Sequence, residues 1–295
     1  MSRMIVWMLA MIGLCVGSVL GQSDRRMQDG KLGITKIEVL PAVRQSASAA
    51  GRVNSLDRVM QSLDAQLISA FNETRKFEIV AWSDLKDVID VANAGQAFGA
   101  QSFAFAGAKY MVAITVDDFQ DFETPVTELR HLGRAWVQRL VRVSAVAKLY
   151  DTTTGSVVHT ANIPASTDLE PEQVNPGGAG PRLTDEMLQA MSRQLCERIA
   201  ERVTDVIFPM RVIARTGNTV TLNRGDGFNL APGMEFDVFI QGEELIDIDT
   251  GRSLGREESL AGRVRIVAVT PETSRAEIVA GSMIERGAVV RAPQQ

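Results

Sequence analysis

The sequence predicts an α+β protein in two parts: a mixed sheet flanked by helices over residues 31–207, followed by a small all-β barrel over 208–293. Three observations carry this. From Lys31 to Asp205 the apolar spacing switches between the period of two of strands and the three-and-four spacing of helices. From Thr219 to Arg291 only the strand period remains, in Val220 and Leu222, in Phe236, Val238 and Ile240, in Val264, Ile266 and Ala268, and in Ala276 and Ile278. Gly225, Gly227, Gly233, Gly251, Gly255, Gly262, Gly281 and Gly287 separate these runs, where reversing the chain favours a residue without Cβ. Strands this short, reversing this often, build a small closed or nearly closed barrel.

Each element follows in order. Leu32–Leu40 reads as a strand closed by Pro41, and RQSASAAGRVNS as a polar loop. Leu56, Val59, Met60, Leu63, Leu67 and Phe71 then form the buried stripe of a helix. Lys76–Trp82 is the next strand, and Ser83 can cap a helix over Asp84–Val91. The small-residue segment 92–110 reads as a loop. Tyr110–Val116 and Trp136–Tyr150 alternate as the two strands of a hairpin joined by a long charged connection. DTTTG at 151–155 turns into a strand over Val157–Ile163, and the segment from Ala165 to Arg182, rich in Pro and Gly, is expected to be mobile. Thr184 can cap a long helix whose stripe is Leu188, Met191, Leu195, Ile199, Val203 and Ile207. Phe208 and Pro209 end it.

The first 21 residues read as a secretory leader, with Arg3, an unbroken apolar run from Met4 to Val16, and a cut after Gly21. The run is too short for a spanning helix and lacks a charged stop. Lipid attachment at Cys15 is disfavoured because Leu14 is too large to precede the cut. The expected location is therefore periplasmic or outer-membrane associated. The chain carries a charge of -5, and removing Arg3 with the leader gives -5 - 1 = -6. An acidic protein of this kind lacks the basic face that nucleic acid needs. Cys196 is then the only cysteine, which excludes an internal disulfide and fits a buried helical residue.

Two stretches resemble known families. SLDRVMQSLDAQLISAFNETRKFEIVAWSDLKDVI, GAKYMVAITVDDF and VRVSAVAKLYDTTTGSVVHT resemble the periplasmic domain shared by the curli secretion channel CsgG, the TolB N-terminal domain and LpoB-type lipoproteins, over about residues 31 to 207. VTLNRGDGFNLAPGMEFDVFIQGEELIDIDTGRSLG, GRVRIVAVTPETSRAEIV and the final GAVVR resemble the C-terminal barrel of the flagellar ring protein FlgT. The resemblance implies an envelope protein that works in assembly or secretion by binding other envelope proteins, with a ring of copies and peripheral outer-membrane association both open. It also raises a channel subunit like CsgG. Against that stand the missing lipid anchor and the charges at 121, 123, 128, 130 and 134, which break the alternation a spanning strand of about 9 to 11 residues needs.

The candidate sites are few. Asp117, Asp118, Asp121 and Glu123 leave the first hairpin strand, and Arg130, His131, Arg134, Arg139 and Arg142 enter the second; Asp117, Asp118, Asp121, Arg130 and Arg134 are the expected interaction residues. The same acids could form a carboxylate pair for glycan hydrolysis, although a charge-paired edge explains them more simply. Asp247, Asp249 and Glu258 fall at the first, third and twelfth places of a calcium loop, but Gly251 and Arg252 occupy its fifth and sixth. Arg224, Gly225 and Asp226 spell an adhesion tripeptide, for which a β-turn is the ordinary explanation. His131 and His159 stand apart with no ligand spacing around them, and no phosphate-cradling loop occurs. No cofactor is expected.

Overall fold

A computed structural model describes residues 30–81, 107–126, 135–168, 170–174, 183–251 and 253–293. The expected leader with Cys15, the helix over Asp84–Val91, most of the loop at 92–110, and Arg130, His131 and Arg134 lie outside the described residues. The architecture is α+β: among the described residues, a mixed sheet with three helices and a second, antiparallel sheet.

The first sheet is built from β1 (Lys31–Ile34), β2 (Glu38–Val39), β3 (Glu78–Ala81), β4 (Tyr110–Pro125), β5 (Ala135–Asp151), β6 (Val157–Asp168) and β7 (Glu172–Val174). Its order is β3-β1-β4-β5-β6, with β2 on β4 and β7 on β5. Strand β1 runs parallel to β3, because the helices α1 (Pro41–Ala49) and α2 (Val53–Glu73) carry the chain back to the same end before β3 begins, and it runs parallel to β4 on its other side. The β4–β5–β6 part is an antiparallel meander. One face of the sheet buries Val112, Ile114, Val116, Val143, Ala145 and Leu149 against α2 and the long α3 (Asp185–Ile207). Both helices present the stripes their spacing predicts: Leu56, Val59, Leu63, Leu67 and Phe71 on α2, and Leu188, Met191, Leu195, Ile199 and Val203 on α3, are buried. Met60 and Ile207 are only partly covered. The hydroxyl of Thr184 accepts from the N–H of Met187 at 3.3 Å, so the predicted cap forms.

Several expectations are corrected. The strand expected over 32–40 is broken after Ile34 and resumes for two residues, and the loop expected over 44–55 is helical except at 50–52, shared between α1 and the start of α2. Pro41 sits where a helix tolerates a missing N–H, and Val43 and Ala47, four apart, supply the buried face. The hairpin strands run on to Pro125 and start again at Ala135, so much of the supposed connection is paired β-structure. The segment expected to be mobile from 165 instead continues β6 to Asp168 and contributes β7, with 175–182 outside the described residues.

The second sheet comprises β8 (Val212–Thr216), β9 (Thr219–Leu222), β10 (Glu235–Ile246), β11 (Ser253–Val269), β12 (Ser274–Ala280) and β13 (Val289–Arg291), in the order β13-β10-β11-β12-β9-β8. Its ends meet: Val212 N–H donates to Ala288 at 2.9 Å, Gly287 N–H to Val212 at 2.8 Å, and Val290 N–H to Met210 at 2.9 Å. The barrel is thus closed, and Val220, Leu222, Phe236, Val238, Val264, Ile266 and Ala276 fill it. A bulge between Ile266 and Ala268 reverses the parity of β11, so that Val269 rather than Ala268 packs on this core.

Candidate interaction surfaces

Beyond the helix-covered core, β4 and β5 continue as a paired ribbon that carries the acids singled out in the sequence. A bulge between Val116 and Asp118 leaves Asp117 without a cross-strand partner and turns Phe119 and Asp121, in place of Asp118, toward the helix side. Asp117 Oδ1 is buried with no hydrogen-bond partner among the described residues, while Asp118 accepts from Gln120 at 3.0 Å. Asp121 has a fully enclosed side chain, and both its oxygens accept from Arg139 at 2.7 Å. Arg52, at the start of α2, lies 4.0 Å from Asp121 and 3.5 Å from Glu123, and Glu123 lies 4.0 Å from Arg139. The hydrogen bond to Asp121 raises the pKa of Arg139 further. These four groups seal the open end of the core, so Asp121 shapes the ribbon from within and offers no charge to solvent.

The barrel has its own projection. Strand β13 pairs with β10 only at Asp237–Phe239, and β12 with β11 only from Arg263 onward, yet β10 and β11 stay paired with each other out to Ile246 and Ser253. The result is a two-stranded arm, broken by register shifts, that ends in a tight turn. Asp247 Oδ1 accepts the N–H groups of Asp249 at 2.8 Å and Thr250 at 3.0 Å, which lowers the pKa of Asp247, and Gly251 takes φ 66°. Ile248 at the tip is 99% exposed, with Leu245, Ile246, Leu254 and Leu260 also exposed along the arm. The calcium reading fails on this geometry. Glu258 lies five residues up β11 from Ser253, roughly 17 Å of strand, where it pairs with Arg291. Its carboxylate cannot meet those of Asp247 and Asp249, and no group of metal-ligating side chains occurs among the described residues.

Between the two sheets, the adhesion tripeptide is a structural joint. Arg224 is 1% exposed. Its Nη2 donates to Asp205 Oδ1 at 2.9 Å and to the carbonyl of Phe208 at the end of α3, while the guanidinium stacks over Phe228 at 4.2 Å. A receptor cannot reach it. Arg75 reaches across from the end of α2 to Asp226 at 2.8 Å and to the carbonyl of Pro271. Gly225 and Gly227 have ordinary φ and are small for space. A Cβ on Gly227 would lie 2.1 Å from the Glu73 carbonyl oxygen, and one on Gly225 2.3 Å from that of Pro271.

The remaining reactive types are subdued. Cys196 is buried, and burial pushes its thiol up to about 12. His159 has its pKa lowered by burial and by Arg202, and its Nε2 has no partner among the described residues. A groove of about 510 Å³ between β6 and α3 is lined by Arg198, Glu201, Arg202 and Asp205, together with Ala161, Ile163 and Pro164. A smaller one of about 250 Å³ lies at the joint beside Lys76, whose pKa is lowered by burial and by Arg224.

Sequence reasoning missed the arm, although its signal was present. Strands of 12 and 17 residues are too long for a barrel whose other strands have 3 to 7, and the excess flanks a turn with apolar residues that do not alternate.

No family model matches the chain, and no curated protein matches it. Among solved structures it is similar to a neuraminyllactose-binding hemagglutinin homolog from Helicobacter pylori, with TM-score 0.35 and 15% identity over 60% of this chain and 84% of that one. A lipoprotein from Neisseria meningitidis aligns with TM-score 0.29 and 12% identity over 58% of this chain and 98% of that one. TolB from Acinetobacter baumannii aligns with TM-score 0.28 and 10% identity over 83% of this chain and 56% of that one.

Proposed function

We propose that the chain is a non-enzymatic cell-envelope protein, exported to the periplasmic side, that serves assembly or secretion by docking to other envelope proteins. The observation that supports this reading is the surface itself. Two β-projections, the β4–β5 ribbon and the β10–β11 arm, extend from closed cores, and the arm exposes apolar side chains that a folded chain otherwise buries. Of the expected interaction residues, Asp117 and Asp118 belong to the ribbon, with Asp121 holding the ribbon in place. The channel-subunit reading finds less support: the outward face of the ribbon pairs Gln120 with Arg142 and Thr124 with Gln138, leaving only Phe122 and Leu140 to meet lipid. A cell-wall enzyme finds less still, because Arg139 already engages both oxygens of Asp121.

Cross-linking in whole cells tests the proposal. Adducts joining this chain to other envelope proteins are expected, and a chain that is trapped only as monomer contradicts it. Release by osmotic shock without detergent separates this function from that of a channel subunit.

A further inference from the structure

The β10–β11 arm and the groove beside β6 are complementary, and both belong to this chain. Strand β10 reaches seven residues past its last barrel pairing, roughly 23 Å, and the arm's outer strand edges are unpaired among the described residues. Its segment 243–258 carries six carboxylates against two arginines, while Ile248 and Leu254 at the tip are apolar and exposed. An acidic tip of this kind is repelled by phosphate-rich surfaces, whether lipid or nucleic acid. What fits it is a groove with apolar residues in its lining, an excess of basic groups and an adjacent strand that lacks a second partner.

The β6 groove has these properties. Strand β6 pairs only with β5 among the described residues, its other edge meets no strand there, and Val157 and Val158 at its start are exposed. Thr160, Ala161, Asn162, Ile163 and Pro164 line the strand side, and Arg198, Glu201 and Arg202 from α3 line the other, with Arg198 donating to the Pro164 carbonyl at 2.6 Å. Asp205 in the same groove is drawn to Arg224, which leaves Arg198 and Arg202 beside Glu201 and an excess of one positive charge. The positive charge of Arg202 is felt at His159, whose pKa it helps to lower. Two strand edges unpaired among the described residues, one acidic and the other beside a groove with an excess positive charge, invite pairing between molecules.

We infer that the partner of the arm is a second copy of this chain, the arm of one copy lying along the β6 edge with its tip over the groove between β6 and α3 of the next. The contact is head-to-tail: each copy uses its arm in one contact and its groove in the other, which generates a ring or an open row and not an isologous pair. This inference rests on the reading of the chain as an assembly protein, which it deepens by naming the partner and the two faces.

Sedimentation velocity of the purified chain lacking residues 1–21, over a range of micromolar concentrations, tests it. The wild type is expected to form species larger than the monomer in a concentration-dependent way. Ile248→Asp, which spoils only the arm, and Arg202→Glu, which spoils only the groove, each weaken association about tenfold or more. Both positions are at the surface of their elements, and circular dichroism confirms that each variant is folded. The decisive sample is an equimolar mixture of the two, in which one good arm meets one good groove. It is expected to give a heterodimer that grows no further. A wild type that remains monomeric throughout, variants that assemble like the wild type, or a mixture that stays monomeric each overturn the inference. If the purified chain is monomeric while whole-cell cross-links still reach other envelope proteins, the inference falls and the proposed function stands.

Discussion

Replacing Asp121 with Asn tests whether the ribbon is held from within by charge. The enclosed carboxylate binds Arg139 through two bonds of 2.7 Å, and Arg139 is only 8% exposed. Removing one member of a buried pair costs about 3–5 kcal/mol, because the other is left desolvated and unpaired. Here Glu123 stands 4.0 Å from Arg139 with its side chain 29% exposed, so it can move in and recover part of the loss. The expected cost of Asp121→Asn is therefore roughly 2–3 kcal/mol. Urea unfolding followed by tryptophan fluorescence reads this out selectively, since Trp82 and Trp136 both precede the barrel and Trp7 lies in the leader. The double replacement Asp121→Leu with Arg139→Met removes both charges and keeps apolar bulk, and should lie within about 1 kcal/mol of the wild type. A cost below about 1 kcal/mol for Asp121→Asn, or a double variant as unstable as the single one, refutes the claim that this pair holds the ribbon.

Two further predictions concern the joint and the core. Gly227→Ala drives a Cβ into the Glu73 carbonyl, so the end of α2 and the Asp226–Phe228 turn must separate, costing about 1–3 kcal/mol; hydrogen exchange should rise at residues 73–77 and 224–228 while the β12–β11 pairing stays protected. Cys196 should resist a thiol reagent at pH 8 in the folded chain and react once urea is added. Because its folded pKa is raised from 9.0 to about 12, the neutral thiol is favoured by folding, and the stability it contributes is intact below the unfolded value and lost as pH rises between the two. Cys196→Ala should therefore show a shallower fall in stability from pH 9 to 11, by up to about 1.4 kcal/mol per pH unit.

Much of the fold was legible because burial enforces a period. The stripes of α2 and α3, the Thr184 cap and the alternating barrel strands follow from spacing alone, and the structure places them accordingly. Helix α1 was not legible, since a Ser- and Ala-rich segment with only Val43 and Ala47 buried carries almost no periodic signal. The continuation of β4 was hidden by its acids, which read as solvated until Arg139 is seen to pair with Asp121 across the ribbon. Arg224 was the least legible of all: its burial depends on Asp205 and Phe208 at the end of α3 meeting Phe228 before β10, a contact that no local pattern encodes. Gly225 and Gly227 were noticed as turn glycines, yet their reason is close approach to a neighbouring backbone.

Photo-cross-linking in living cells from residues placed singly at Phe122 on the ribbon, at Ile248 on the arm and at buried Leu195 in α3 tests the central claim most directly. If the chain acts through its two projections, Phe122 and Ile248 yield defined adducts, with this chain or with other envelope proteins, and Leu195 yields none. Monomer alone at both projecting positions would contradict the account.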